Sequence, residues 1–460
     1  MNLTIKIGGE VVDVTSELVC NLKKQSPMFL RDEVIGDYAE EIILPFTVRN
    51  DRILGYYRHP QVLASPTKMY CEQYVNSNRL ARGYVLPLEA ISDYKLGYTS
   101  NLEAVFGNLR TKSLREIDFG TLPIPSDFDV TLSNTYAAGG YVFPSIKNPD
   151  FYQNMPAGFS GIINECTAGH YSGGTKVPMF FLRYILDQLA IKVDYEFSFD
   201  TPEINRFLIY NTLSLDELNT IYPQNHLPDL PLGVFLLEVA KLTNSALFFD
   251  APNRKLQFRT RKSVYQADCT LDWSKKAKPI LGKMPTNISG LELSFSVDSD
   301  DATTKVQHPY FDGYLTAGAE ENIFKVQTVW SSLITDGGLP FTLQQGITTG
   351  QNDKNFSPRM LQWAGVVDGV PVALPEVSGL GLYWNGANGL YNTYYKEEES
   401  FLMNTFRTPP VDLYLTESDL AGWTPDRKIH INGVNYIFEE IVCPLHNLSL
   451  GCVGHGYRIN

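Results

Sequence analysis

Short stretches in which apolar and polar residues alternate recur along this chain, and that two-residue period constrains its fold most. The first of them spans residues 3–7 and leads into Gly8-Gly9, a pair that tolerates the positive φ of a tight turn. Near the other end, residues 429–431 lead into Asn432-Gly433, and a second alternating run follows directly. Asn-Gly between two such runs is a strong hairpin signal. The chain is therefore predicted to contain many short antiparallel strands.

The composition supports a globular, β-rich protein with several cores. The 460 residues are 43% hydrophobic and 19% charged, and at roughly 150 residues per domain they suggest about three domains. The 35 Gly and 27 Pro provide turns, and the 26 Tyr and 25 Phe favour strands and protein–protein interfaces.

Two proline-led helices are predicted in the middle of the chain. Pro178 precedes a helical pattern over residues 179–189, and a strand follows in which the apolar residues are Val193, Tyr195, Phe197 and Phe199. After Pro231, four apolar residues share one helical face: Phe235, Leu236, Val239 and Leu242. Strand patterns follow this second helix as well, so the region is predicted to form helix–strand modules.

The predicted fold class is α+β and β-rich, with a barrel or sandwich at each end. The expected division is an N-terminal β-barrel or sandwich over residues 1–130, a Gly- and aromatic-rich insertion or loop over 131–175, helix–strand modules over 176–300, an irregular Gly-rich region over 301–400, and a small C-terminal antiparallel barrel or sandwich over 401–460.

Charge and hydropathy narrow the expected partners. The net charge is −13, from 51 acidic and 38 basic residues, whereas duplex binding needs basic stripes that displace counterions. No apolar run approaches the ~20 residues needed to cross a bilayer, so no stable membrane insertion is expected. The start lacks the apolar core of a signal peptide, which predicts synthesis in the cytoplasm. Six scattered Cys do not indicate a disulfide framework.

Two groups of residues are candidates for metal binding. Cys443, His446, Cys452 and His455 repeat a C-x2-H spacing, but only five residues separate the pairs, fewer than in zinc fingers. The alternative is packed Cys and surface His near a hairpin. Asp298, Asp300 and Asp301 end a strand and are a candidate Ca²⁺ site. They lack the Gly and distal Glu of a calcium loop, which favours a polar turn. No metal or cofactor is predicted.

No catalytic residue is predicted either. The sequence contains neither H-E-x-x-H nor G-x-x-x-x-G-K-[ST], and Gly158-Phe159-Ser160-Gly161 is not a G-x-S-x-G elbow. The chain is therefore expected not to be an enzyme. A carboxylate pair that meets only in the folded protein leaves no local motif, so a carbohydrate-binding or glycan-cleaving protein remains the rival hypothesis.

Four passages resemble a group of structural proteins from tailed phages and prophages of Bacteroides-like bacteria. The first is residues 43–55, where such proteins carry an LP-x-T…N-x-x-I-(L/F)-G stretch. The others are the Pro-led helix and aromatic strand over 177–195, residues 226–249 with the later 272–276, and the closing strands over 411–438. The likeness covers most of the chain in patches and includes no catalytic signature.

The resemblance implies a tail hub or baseplate protein of the virion. Such hubs assemble as rings around the tail axis, so the implied partners are further copies of this chain, as a trimer or hexamer, and neighbouring tail proteins. DNA is expected only in passage through the channel, which the acidic charge suits. The candidate contact residues lie in two aromatic loops: Tyr141, Phe143, Tyr383 and Trp384. The alternative is that these side chains pack into their own domain.

Overall fold

A computed structural model describes residues 3–15, 18, 20–33, 38–63, 68–100, 106–216, 218–250, 253–348 and 356–459. The chain forms two compact units, each built from separate stretches. The first unit comprises Met1–Asn108, Ala246–Asn287 and Asn404–Asn460. The second comprises Leu109–Ser245 and Ile288–Met403. The expected class, a β-rich α+β protein, is confirmed, because the described elements are mostly short strands with few helices between them.

One large sheet forms the first unit. Along its main path the strands are Glu10–Val11, Leu3–Ile7, Met69–Val75, Asn78–Ala90, Tyr94–Thr99, Tyr38–Leu44, Asn21–Gln25, Val434–Pro444, Cys452–Ile459, Phe406–Arg407 and Met284–Pro285. Three further strands attach to it: Leu271–Asp272, Val411–Leu413 and Ile429–Ile431. The strands Ser245–Asp250 and Lys255–Thr260 pair outside this sheet.

The N-terminal and C-terminal strands share this sheet, whereas the sequence predicted two separate β-domains. The strand Asn21–Gln25 pairs with Tyr38–Leu44 on one side and with Val434–Pro444 on the other, where Leu22 faces Cys443. A single apolar core extends along the sheet. Pairing in this way covers strand edges that two separate sheets would leave open.

The described helices of the first unit are short. The α-helices are Val48–Ile53, Arg261–Gln266 and Glu417–Gly422, and the 3-10 helices are Pro27–Phe29 and Leu448–Leu450. Within the described residues of either unit, no helix is long and apolar enough to cross a membrane.

The second unit is centred on a five-stranded antiparallel sheet. Its strands are, in order, Val370–Leu374, Arg359–Val367, Phe207–Tyr210, Met179–Phe181 and Tyr141–Val142. Smaller groups surround it: Ile162–Ile163 with Ile146–Lys147, Leu339–Phe341 and Ile334–Asp336; Tyr314–Leu315 with Gly290–Phe295 and Ile323–Thr328; Cys166–Thr167 with His170–Tyr171; Thr220–Ile221 with Leu122–Pro123; and Glu376–Val377 with Leu380–Gly381.

The two proline-led helices of the second unit are confirmed. They span Leu182–Val193 and Leu232–Leu242, and the strand Glu196–Phe199 follows the first. The first helix begins three residues later than predicted, because Met179–Phe181 is a sheet strand. The remaining helical segments of the described chain are Gly107–Thr111, Leu114–Glu116, Phe128–Ser133, Pro202–Arg206, Pro223–His226, Ala302–Lys305, Tyr391–Tyr395 and Lys396–Asn404.

Candidate functional site

A capped corner at the end of one sheet strand positions an exposed surface on the first unit. The helix Val48–Ile53 begins four residues after the strand Tyr38–Leu44 ends. Thr47 Oγ1 accepts a hydrogen bond from the Asn50 backbone N–H at 3.1 Å, which caps the helix N-terminus. Gly55 follows the helix with a φ of +62°, a conformation that glycine adopts without steric cost.

The buried side chain of Asn50 fixes this corner to the segment after the N-terminal hairpin. Its Nδ2 donates to the carbonyl oxygens of Pro45 and Asp13, both at 2.9 Å. Its Oδ1 accepts from the Asp13 backbone N–H, also at 2.9 Å. Because Asn50 has no solvent exposure, removing it would leave buried polar groups without partners.

The carboxylate of Asp51 ties the corner to the neighbouring strand. Its Oδ1 accepts from the Tyr94 hydroxyl at 2.7 Å and from Arg58 Nε at 2.8 Å, and its Oδ2 accepts from Arg58 Nη2 at 2.7 Å. The Arg58 guanidinium lies 4.5 Å above the Phe46 ring, which packs edge-on against Tyr94. The hydrogen bonds from Arg58 lower the pKa of Asp51 against the effect of burial. Burial, with the nearby Asp51, raises the pKa of Tyr94 to about 12.

We expect Asp51→Asn to reduce the acid sensitivity of the first unit. A carboxyl whose folded-state pKa is lowered stabilises the fold above its unfolded pKa of about 3.9, and this contribution disappears as pH falls through the folded-state pKa. Melting temperatures measured by circular dichroism should therefore differ most between the wild type and the variant at neutral pH and converge in acid. The matched control is Asp93→Asn, at a half-buried carboxyl. A constant Asp51→Asn difference at every pH would contradict this assignment.

Four exposed aliphatic side chains lie on and beside the corner; together they are called the aliphatic rim: Val48, Leu63, Leu88 and Ile91. Val48, Leu63 and Ile91 are 84%, 97% and 79% exposed. Leu44 pairs with Tyr94, so Val48, four residues after Leu44, and Ile91, three before Tyr94, lie at one end of the same strand pair. The turns that follow the helix lead to Leu63. Several exposed aliphatic side chains near one corner are candidates for a protein–protein contact.

The structure corrects the expected exposure of the aromatic loops. Tyr141, Phe143 and Trp384 are buried in the second unit, so they pack into their own domain and are not surface contacts. Tyr141 belongs to the central sheet, and Trp384 stacks on Phe295 at 4.9 Å. The remaining member of the predicted set is only half-buried.

That fourth residue, Tyr383, stacks almost parallel on Tyr310, with ring centroids 4.7 Å apart, and its hydroxyl donates to Glu376. Burial, followed by the hydrogen bond to Glu376, raises the pKa of Tyr383 well above its ordinary range. Tyr383 therefore keeps part of its surface accessible while its hydroxyl is held internally.

The candidate zinc residues belong to the closing hairpin of the first unit. Cys443 and Cys452 are buried on neighbouring strands. His446 Nδ1 lies 3.3 Å from the backbone nitrogen of Cys20, and His455 Nε2 lies 4.0 Å from a Glu440 oxygen. Among the residues that the structure describes, no group of three or more His, Cys, Asp or Glu side chains is placed to hold a metal ion.

Two of the candidate calcium residues pair with an arginine that the sequence did not reveal. Arg359 has no solvent exposure, and its Nη1 donates to Asp301 Oδ2 at 2.6 Å. Its Nη2 lies 3.5 Å from Asp298 Oδ2. Asp298 also accepts from Gln344 Nε2 at 2.6 Å. These carboxylates therefore form a buried ion-pair cluster in the second unit.

Comparison with known proteins identifies similar solved structures. No protein-family model matches the sequence, and no curated protein matches it. A 43 kDa tail protein of prophage MuSo2 from Shewanella oneidensis aligns over 100% of this chain and 98% of its own, at 10% identity and a TM-score of 0.41. A tail protein from Neisseria meningitidis aligns over 100% of this chain and 96% of its own, at 9% identity and a TM-score of 0.39. Prophage tail protein gp18 from Listeria monocytogenes aligns over 100% of this chain and 95% of its own, at 7% identity and a TM-score of 0.39.

Proposed function

We propose that this chain is a structural component of a phage-type tail, a hub or baseplate protein that assembles as a ring around the tail channel. The observation that carries the proposal is the aliphatic rim on the first unit. Removing one large aliphatic side chain from water contributes about 1.5–3 kcal/mol, so four of them together favour association strongly. The partner that covers the rim is a second copy of this chain.

The segment that carries the sequence resemblance builds the same corner. Residues 43–55 contain the capping Thr47, the buried Asn50 and Asp51, and Gly55. Thr47 and Asn50 bond to nearby backbone groups, and Asp51 pairs with Arg58 and Tyr94. A motif that shapes a rigid, exposed corner suits an assembly role and does not require catalysis.

The charge of the chain fits the proposed channel. With a net charge of −13, the protein would repel a phosphate backbone that passes through a ring of such chains. The apolar rim would then join neighbouring copies, and further tail proteins would bind the faces of the ring. The proposed location of the protein is the tail of the virion.

The test is the molar mass of the purified protein by multi-angle light scattering, across protein and salt concentrations. We expect a trimer or hexamer that persists at high salt, because contacts between aliphatic side chains are not screened as charge pairs are. A monomer at every concentration would overturn the self-association. An oligomer that dissociates as salt is raised would assign the contact to charged groups instead of the rim.

A further inference from the structure

A pocket of about 370 Å³ opens on the second unit, beside the central sheet. The residues that define its chemistry are Tyr136, Phe181, Glu203, Asn205, Arg206 and Trp363. Phe181 is buried in the core, whereas Tyr136 and Trp363 are half-buried and present ring surface to the pocket. A concave site with an apolar lining and a few convergent polar groups is the usual form of a small-ligand site.

A β-bulge sets the position of the Trp363 indole. Trp363 pairs with Ala373 and Gly365 pairs with Val372, which leaves Ala364 as the extra residue. Bulges re-aim the neighbouring side chains and are common next to binding sites. The other four tryptophans, Trp273, Trp330, Trp384 and Trp423, are each 2% exposed or less. Trp363 is thus the one indole in the described chain that a ligand in solution can reach.

The polar side chains of the pocket lining include Asn205, Arg206 and Glu203. The Oδ1 of Asn205 is buried and has no hydrogen-bond partner among the described residues. Arg206 is held in place, since its Nε donates to Gln362 Oε1 at 2.8 Å and its Nη2 donates to the Val377 carbonyl at 3.0 Å. Glu203 is the one carboxylate among the described residues of the lining. One acidic and one basic side chain balance each other, which favours a neutral ligand.

We propose that this pocket binds a neutral saccharide, as the terminal unit of a glycan. A sugar ring has one face of C–H groups, which packs against the negative faces of aromatic rings such as those of Trp363 and Tyr136. Its hydroxyl groups are donors for the carboxylate of Glu203, which is half-buried and so remains open to a ligand in the pocket. Hydrolysis of a glycosidic bond ordinarily needs a pair of carboxylates, and the lining has one, so the site binds without cleaving.

The test uses the fluorescence of Trp363. The methyl glycosides of glucose, galactose, mannose and N-acetylglucosamine would be titrated to about 100 mM, above a Kd on the order of 1 mM. We expect a saturable change in emission with at least one of them. Glu203→Gln should weaken binding about threefold to tenfold, as expected for the loss of one hydrogen bond. Trp363→Phe should remove the fluorescence change, and saturation-transfer NMR would measure the remaining affinity.

The control variant is Tyr383→Phe, which leaves this pocket intact and should bind as the wild type does. Two outcomes would overturn the proposal. One is that none of the four glycosides changes the emission. The other is that cyclohexanol binds as tightly as the best glycoside and Glu203→Gln has no effect, which would make the pocket an apolar site. Saccharide binding does not depend on assembly of the chain into an oligomeric ring. A variant of the aliphatic rim that is monomeric should therefore still bind the saccharide.

Discussion

Replacement of Arg359 by leucine is expected to lower the free energy of unfolding of the second unit by about 3–5 kcal/mol. Arg359 is completely buried, and its guanidinium is the positive charge opposite Asp301 and Asp298. The leucine side chain would fill part of the space but leave both carboxylates buried without their counter-charge. Urea unfolding followed by tryptophan fluorescence measures the change.

The surroundings of Asp301 explain why this loss is large. Its Oδ1 accepts from the backbone N–H groups of Thr303 and Leu343, at 2.8 and 3.1 Å, and its Oδ2 accepts from Thr342 Oγ1 at 2.5 Å. Burial alone would raise the pKa of Asp301, but the charge of Arg359 and these hydrogen bonds hold it below its ordinary value. Without Arg359, the carboxyl would either remain charged in an apolar interior or take up a proton.

A surface ion pair in the same unit provides the matched control. Lys325 and Glu292 lie 2.6 Å apart with their side chains 71% and 40% exposed, and Lys325→Met should change stability by less than about 1 kcal/mol. Arg359→Leu combined with Asp301→Asn should recover part of the loss, because one unpaired charge is removed. Equal stability of Arg359→Leu and the wild type would show that the cluster contributes nothing to the fold.

Local sequence patterns predicted most individual elements because turns and helix starts depend on neighbouring residues. Asn432 and Gly433 have φ angles of 50° and 88° and join Ile429–Ile431 to Val434–Pro444, as predicted. Asp368-Gly369 does the same between two strands of the central sheet, with φ angles of 50° and 76°. This second hairpin lies within residues 301–400, which were predicted to be irregular. An Asp-Gly pair between apolar runs was sufficient to find it.

Strand and side-chain pairs between residues distant in sequence could not be predicted. A two-residue period of apolar side chains identifies a strand but not the strand that pairs with it. Nothing local to residues 21–25 indicates pairing with Val434–Pro444. For the same reason Arg359 and Asp301, which are 58 residues apart, could not be matched. The predicted exposure of the aromatic loops was wrong for a different reason. Gly and Pro around Tyr141 and Trp384 suggested exposed turns, but Tyr141 lies in a strand of the central sheet and both rings are buried.

The second large effect is expected at the aliphatic rim, where Ile91→Asp should convert the proposed ring to monomers. Each contact between copies would lose the burial of one isoleucine, about 1.5–3 kcal/mol, and would also have to desolvate a carboxylate. A loss of about 2 kcal/mol at each contact weakens association about 30-fold, and closure of a ring compounds the effect over all its contacts. Ile91 is exposed in the single chain, so the melting temperature of the monomer should stay almost unchanged.

The matched control is Ile191→Asp, at an isoleucine of the second unit that is 72% exposed and does not belong to the rim. It introduces the same charge and should leave the mass by light scattering unchanged. If both variants keep the oligomer, the rim is not the contact; if both dissociate it, the added charge acts without regard to position. If Ile91→Asp dissociates the oligomer and Ile191→Asp does not, the interface between copies lies at the corner that residues 43–55 build, because only Ile91→Asp alters the rim.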